Sequence, residues 1–244
     1  MTRIETFTDA AFAFAMTLLV VSIDPPASFA ELNAVMRDIP AFVLSATLLM
    51  MFWWGHHEWS RRFGLDDGPT IVLSCLLVFT VLVYVYPLRF MFGLMMAWIG
   101  QLSGLQVGSG GATVTSAEEV HHLFAIYGAG FMAMSLALLL LNLHAWRQRE
   151  ALQLDGVELV VTRGEIGVWS ILFSVGALST VLALVLPPHM VGLPGWVYAL
   201  LGIVMPLYGR GVTRNVRTAA ARSLAASADR GPVRRSTGAS TIPG

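Results

Sequence analysis

Arg3-Ile4-Glu5-Thr6-Phe7-Thr8-Asp9-Ala10-Ala11-Phe12-Ala13-Phe14-Ala15-Met16-Thr17-Leu18-Leu19-Val20-Val21-Ser22-Ile23 decides how the chain is read. From Phe7 to Ile23 the segment reaches the ~17 residues that cross about 30 Å of hydrocarbon as a helix. It nevertheless carries a carboxylate, Asp9, and a hydroxyl, Thr17. An ionisable side chain costs roughly 2.5–3.5 kcal/mol at the centre of a bilayer and less near an end, so it faces protein or water and marks function. A cleaved leader would need a positive start, whereas here Arg3 is balanced by Glu5 and Asp9, and Thr17 and Ser22 interrupt the core. The segment is expected to stay on the chain as its first span.

The whole composition agrees. Of 244 residues 56% are hydrophobic and 12% charged, with a mean hydropathy of +0.69, where globular proteins carry about a quarter charged residues. This describes an all-α, polytopic membrane protein. Formal net charge is zero, but the chain has no Lys, and seven of its Arg lie between Arg210 and Arg235. That basic end follows a hydrophobic helix and there is no nucleic-acid motif, so its partner is expected to be the lipid bilayer. One cysteine, Cys75, lies in an apolar run and cannot form an internal disulfide.

Five further apolar stretches are long enough to span: about Ile39 to Trp59, Thr70 to Phe92, Leu123 to His144, Ile166 to Leu186 and Leu193 to Tyr208. The second ends in Trp53-Trp54-Gly55-His56-His57-Glu58-Trp59 before Arg61-Arg62, an aromatic belt followed by a basic anchor. Gly93 to Val120 reads as a long external loop, and residues 210–244 as a short surface helix followed by a disordered tail. The expected division is therefore a six-helix domain, 1–209, and an Arg-rich segment, 210–244. With both termini in the cytoplasm, thirteen Arg lie inside and only Arg37 and Arg89 outside. Asp9 and His56-His57 then share the inner side.

Histidines and carboxylates invite a metal reading at His56-His57-Glu58, at Glu118-Glu119 with His121-His122, and at His144 and His189. A metal needs three or four ligands converging on one point. The expected topology separates the first two groups by nearly a bilayer, so no metal and no cofactor is expected. No Ser-His-Asp set, phosphate loop or pair of intramembrane carboxylates can be assembled either, which argues against an enzyme. Within the first helix Phe7, Phe14 and Val21 are seven apart, with Ala10 or Ala11 and Leu18 between them. Such a stripe is either a packing seam or, if copies meet at an axis, a ring of apolar side chains that gates by dewetting beside a Thr17 ring.

The run Arg3-x-x-x-Phe7-Thr8-Asp9-Ala10-Ala11-Phe12 closely resembles the Arg-x-x-x-Phe-Ser-Asp signature of bacterial TMEM175-type potassium channels, and Phe52-Trp53-Trp54-Gly55-His56-His57 resembles that family's Phe-Trp-x-x-His pattern. The resemblance covers about residues 1 to 210. It implies a homotetramer in a bacterial plasma membrane whose first helices surround a pore permeable to potassium ions. By the same resemblance the constriction falls on Phe14, with Leu18 and Val21 outward of it, and the ring implicated in selection on Thr17. Arg3, Phe7, Thr8, Asp9 and His57 correspond to a signature network at the inner mouth. Thr8 keeps the hydroxyl of the usual Ser, Ser74 stands about where Asn is common, and Phe14 replaces Ile or Leu, placing four phenyl groups on the axis. A leak-type channel is the leading expectation. A proton-coupled secondary transporter using Asp9 and His57, or a non-conducting scaffold, are the alternatives; no internal repeat supports the transporter, and no Arg series supports voltage sensing.

Overall fold

The computed structural model describes residues 3–21, 26–104, 107, 114–187, 190 and 192–229, without the side chains of Val21 and of 223–229. All regular structure among them is helical: α1 Arg3–Val21, α2 Phe29–Phe63, α3 Gly68–Ser103, α4 Ala117–Arg147, α5 Gly156–Val185, α6 Leu193–Ala199 and α7 Leu201–Asp229. Four of these, α2 to α5, are long and apolar enough by length and composition to cross a membrane. The fold is that of an all-α, multi-pass membrane protein.

Helix ends follow local chemistry. Ser28 caps α2 by accepting from the Glu31 amide, and Glu31 in turn accepts from the Ala27 amide at 2.7 Å. Gly64 ends α2 at φ 56°, a left-handed conformation that costs glycine nothing. Asp155 and Glu158 form a full capping box at the start of α5.

Helix α4 is the centre of the bundle. It packs against α3 and α5, while α1 packs on α2 and α3, and α7 on α5 and α6. The core is aliphatic and aromatic: Leu49, Phe52, Leu77, Leu88, Met134, Leu138 and Leu141 are fully buried, and Phe52 meets Phe131 edge-on at 5.6 Å. Lipid offers no hydrophobic force between helices, so small residues that allow close approach hold such bundles. At the α4–α5 crossing a Cβ on Gly176 would stand 3.0 Å from the Met132 amide. Outside, Val72, Phe79 and Val83 are exposed, an apolar surface suited to lipid.

Two boundaries differ from the sequence reading, and one helix continues across a third. Helix α3 does not stop at Phe92 but runs to Ser103, because Leu94-Met95-Met96-Ala97 are good helix formers and the left-handed residue that ends it is Gly104. The expected loop is shortened accordingly, and 105–106 and 108–113 lie outside the described residues. The sixth stretch is not one helix but two, α6 and α7, meeting at Leu200. Finally, α7 passes through the expected division at 209/210 without interruption, since a change from apolar to Arg-rich side chains is not a change in backbone preference. The tail beyond 229, like His189, is outside the described residues.

Candidate functional site

Helix α1 has two unlike faces. Ile4, Thr8, Phe12, Ala15 and Leu19 are buried against α2 and α3. On the other side Phe7, Ala10, Phe14, Thr17 and Val20 are exposed, with Phe14 57% accessible. Their spacing of three and four residues keeps them on one stripe. Leu18 is half-buried and packs against the subunit's own core, beside the stripe rather than on its crest. Val21 closes α1, and its side chain is outside the described residues.

Thr17 Oγ1 donates to the Ala13 carbonyl at 2.9 Å. A hydroxyl has one hydrogen and two lone pairs. With the hydrogen turned back along the helix, the free lone pairs are left on an exposed oxygen that can accept from water or face a cation, but has no hydrogen left for an anion.

Below this stripe the signature residues are placed as follows. Arg3 and Phe7 are exposed, and Thr8 is fully buried with no hydrogen-bond partner for its hydroxyl among the described residues. Asp9 is half-buried and accepts from Trp53 Nε1 at 2.9 Å. His57, one turn on from Trp53, stacks on that indole with ring centroids 5.2 Å apart. Thus the bond Asp9 receives comes from the indole, and His57 supports the indole from the side. The neighbouring His56 points the other way and pairs with Ser74 Oγ of α3 at 2.9 Å, which ties α2 to α3 beneath α1. Trp53 was legible only as part of an aromatic belt, although it lies four residues from His57. Arg89, in the sequence only one of two arginines on the outer side, donates its Nη1 to the Leu19 carbonyl at 2.9 Å and holds the far end of α1.

Two further histidines, His121 and His144, serve the bundle. His121 Nδ1 lies 3.1 Å from the Ala183 carbonyl, joining α4 to α5. His144 Nε2 is 2.7 Å from Asp67 Oδ2, which also accepts from Gln148 at 2.8 Å. No group of three His, Cys, Asp or Glu among the described residues is arranged to hold a metal ion.

Residues 3–87, the part that contains α1, α2 and most of α3, match the family described as endosomal/lysosomal potassium channel TMEM175. A protein of Marivirga tractuosa named "Potassium channel" is 33% identical over 220 residues, spanning 88% of this chain and 89% of that protein. The crystal structure of a variant of the potassium channel MtTMEM175, in complex with a nanobody–MBP fusion, is similar with a TM-score of 0.77 and 32% identity, covering 88% of this chain and 94% of that one. On this combination of matched α1 signature, relative and fold, the chain belongs to the TMEM175 potassium channel family.

Proposed function

We propose that this protein is a passive, potassium-permeable leak channel in which four copies bring α1 to a common axis. The observation that carries the reading is the unpartnered stripe Phe7, Ala10, Phe14, Thr17 on a helix whose opposite face is buried. A phenyl ring more than half exposed on an isolated subunit is accounted for if symmetry mates cover it. On this reading Phe14 forms an apolar constriction that excludes water when closed, with Leu18 one turn and Val21 two turns outward, Leu18 flanking rather than crowning the stripe, and Thr17 oxygens replace part of a cation's hydration shell. Arg3, Phe7, Thr8, Asp9 and His57 act at the inner mouth, where Trp53 and Asp9 fix the rotation of α1 and hence what faces the axis.

The excess of Arg on one side supports both termini in the cytoplasm of a bacterial plasma membrane. Residues 1–209 then form the channel, and 210–244 the basic part at its inner surface.

Purified protein in liposomes loaded with potassium should pass a flux when a potassium ionophore is absent and a proton shunt is present. Thr17→Val, which keeps shape and removes the oxygen, should lower preference for potassium over sodium, whereas Thr17→Ser should retain it. A silent wild type at verified reconstitution would overturn the proposal.

A further inference from the structure

Away from α1, the groove between α5 and α7 combines features that recognise an amphipathic anion. Its upper wall is set where the two helices touch: Tyr208 Oη donates to the Gly164 carbonyl at 3.3 Å, and a Cβ on Gly164 would meet Val212 at 2.6 Å. Toward the C-terminal end of α7 an open groove of about 630 Å³ follows, within the ~300–1,000 Å³ typical of small-ligand sites. Along α7 its lining changes from Leu207 and Val212 through Asn215 and Thr218 to Arg222, while α5 contributes Arg163. Arg163 stands over the Trp146 ring at 4.9 Å, which braces its guanidinium at this level.

Charge is the second observation. Between Glu165 and Asp229 the sequence contains no acidic residue at all. Arg163, Arg210, Arg214, Arg217 and Arg222 are exposed, and none pairs with a described carboxylate. Arg210, Arg214 and Arg217 recur at four and three residues, so they form one row on α7 and line an adjoining groove that shares Thr218 with the first. An uncompensated basic cluster at the end of a bundle of membrane length, between helices, is the arrangement that attracts anionic headgroups.

A free anion would use the basic residues alone. The ordered passage from apolar to hydroxyl and amide to guanidinium groups along one groove, continuous with exposed Leu207 and Ile203 above it, matches a molecule with acyl chains at one end and phosphate at the other. We propose that the α5–α7 groove is a binding site for an anionic phospholipid, its phosphate held by Arg163, Arg222, Thr218 and Asn215 and its chains lying against Leu207 and Val212.

The test is native mass spectrometry of the full-length protein in mild detergent with added phosphatidylglycerol or phosphatidylcholine. Wild type should retain phosphatidylglycerol in preference, and Arg163→Gln with Arg222→Gln should weaken that retention by about fivefold for each Arg removed. Arg37→Gln, which removes the same charge as either single change but at the other end of the bundle, should leave it intact. If the double variant fails to fold, the wild type decides alone: rising salt should release phosphatidylglycerol while phosphatidylcholine stays unchanged. Equal retention of both lipids, indifference to the Arg163 and Arg222 changes, or displacement of phosphatidylglycerol by millimolar inorganic phosphate would overturn the assignment to a lipid.

Discussion

Trp53 Nε1 donates to Asp9 Oδ1 at 2.9 Å, joining α2 to the first turns of α1 across 44 residues of sequence. Indole is a donor only and an ionised carboxylate an acceptor only, so the pair has one sense and does not exchange roles. A bond to a charged acceptor is worth about 1.5–3 kcal/mol. Trp53→Phe keeps a ring to stack with His57 but removes the donor, and is expected to lower the melting temperature of the detergent-solubilised protein. Asp9→Asn keeps an acceptor oxygen and should cost less. Equal melting of Trp53→Phe and wild type would show that the bond does not hold α1.

Two phenylalanines separate packing from the proposed pore. Phe52 is fully buried between Phe131 and Trp169, with ring centroids at 5.6 and 5.8 Å, so Phe52→Ala should destabilise by about 3–5 kcal/mol and depress expression. Phe14 is 57% exposed on the subunit, and Phe14→Ala should leave the isolated subunit's fold within about 1 kcal/mol while raising potassium flux. Loss of folding in Phe14→Ala with no change in flux at matched protein would place the ring in subunit packing instead.

Gly130 lies against the face of Tyr84, where an added Cβ would clash with the ring carbons. Tyr84 cannot swing aside freely, because it is buried and its Oη donates to the Tyr127 carbonyl at 2.8 Å. Gly130→Ala is therefore expected to cost about 1–3 kcal/mol through overpacking. Adding Tyr84→Leu should recover part of the loss, measured as partial restoration of the melting temperature in the double variant.

Asp67, in the turn between α2 and α3, should limit stability in acid. Burial alone would raise its pKa, but hydrogen bonds from Thr70, His144 and Gln148 outweigh that and hold it well below the ordinary carboxylate range. A carboxyl whose folded pKa lies below its unfolded value of 3.8 stabilises the fold above that value. Its contribution is lost progressively as pH falls below 3.8 toward the lower folded pKa. Because the side chain is about a third exposed, screening limits the effect to roughly 1 kcal/mol. Melting followed from pH 6 downward should show Asp67→Asn less stable than wild type near neutrality and converging on it in strong acid; parallel curves would exclude this role.

Much of this architecture was legible because membrane helices announce themselves by length and their ends by capping chemistry. Ser28 with Glu31, and Asp155 with Glu158, are readable pairs three residues apart. Of the expected α1 stripe, the shared exposure of Phe7 and Phe14 was legible from their spacing of seven, while the packing of Leu18 against the core was not. Three things were hidden. The partner of Asp9 lies 44 residues away, and an indole in a Trp-rich run before Arg61-Arg62 reads as an interfacial belt. The adjacent His56 and His57 face different neighbours, Ser74 and Trp53, and only packing shows which faces which. Helix α7 crosses from apolar to basic sequence without a break despite Gly209 and Gly211 at the crossing, since Arg210, Arg214 and Arg217 are themselves good helix formers.

Arg89 gives the last prediction, at the end of α1 remote from Asp9. The final carbonyls of a helix lack intrahelical partners and carry the negative end of its dipole. Arg89 Nη1 reaches the Leu19 carbonyl, in the last described turn of α1, at 2.9 Å from α3. It therefore adds a donor and a compensating charge near the negative end of the α1 dipole. Arg89→Met preserves the apolar stem and removes both, and a cation at a helix C-terminus is worth about 0.3–1 kcal/mol, rising to about 2 when partly buried. Amide exchange in the last turn of α1 should accordingly accelerate by roughly two- to thirtyfold, with the first turn, held by Trp53, unchanged. Arg89→Lys keeps the charge but not the reach of the guanidinium, so it should fall between the two. Uniform acceleration along α1 would mean that Arg89 supports the whole helix through α3 rather than anchoring its end.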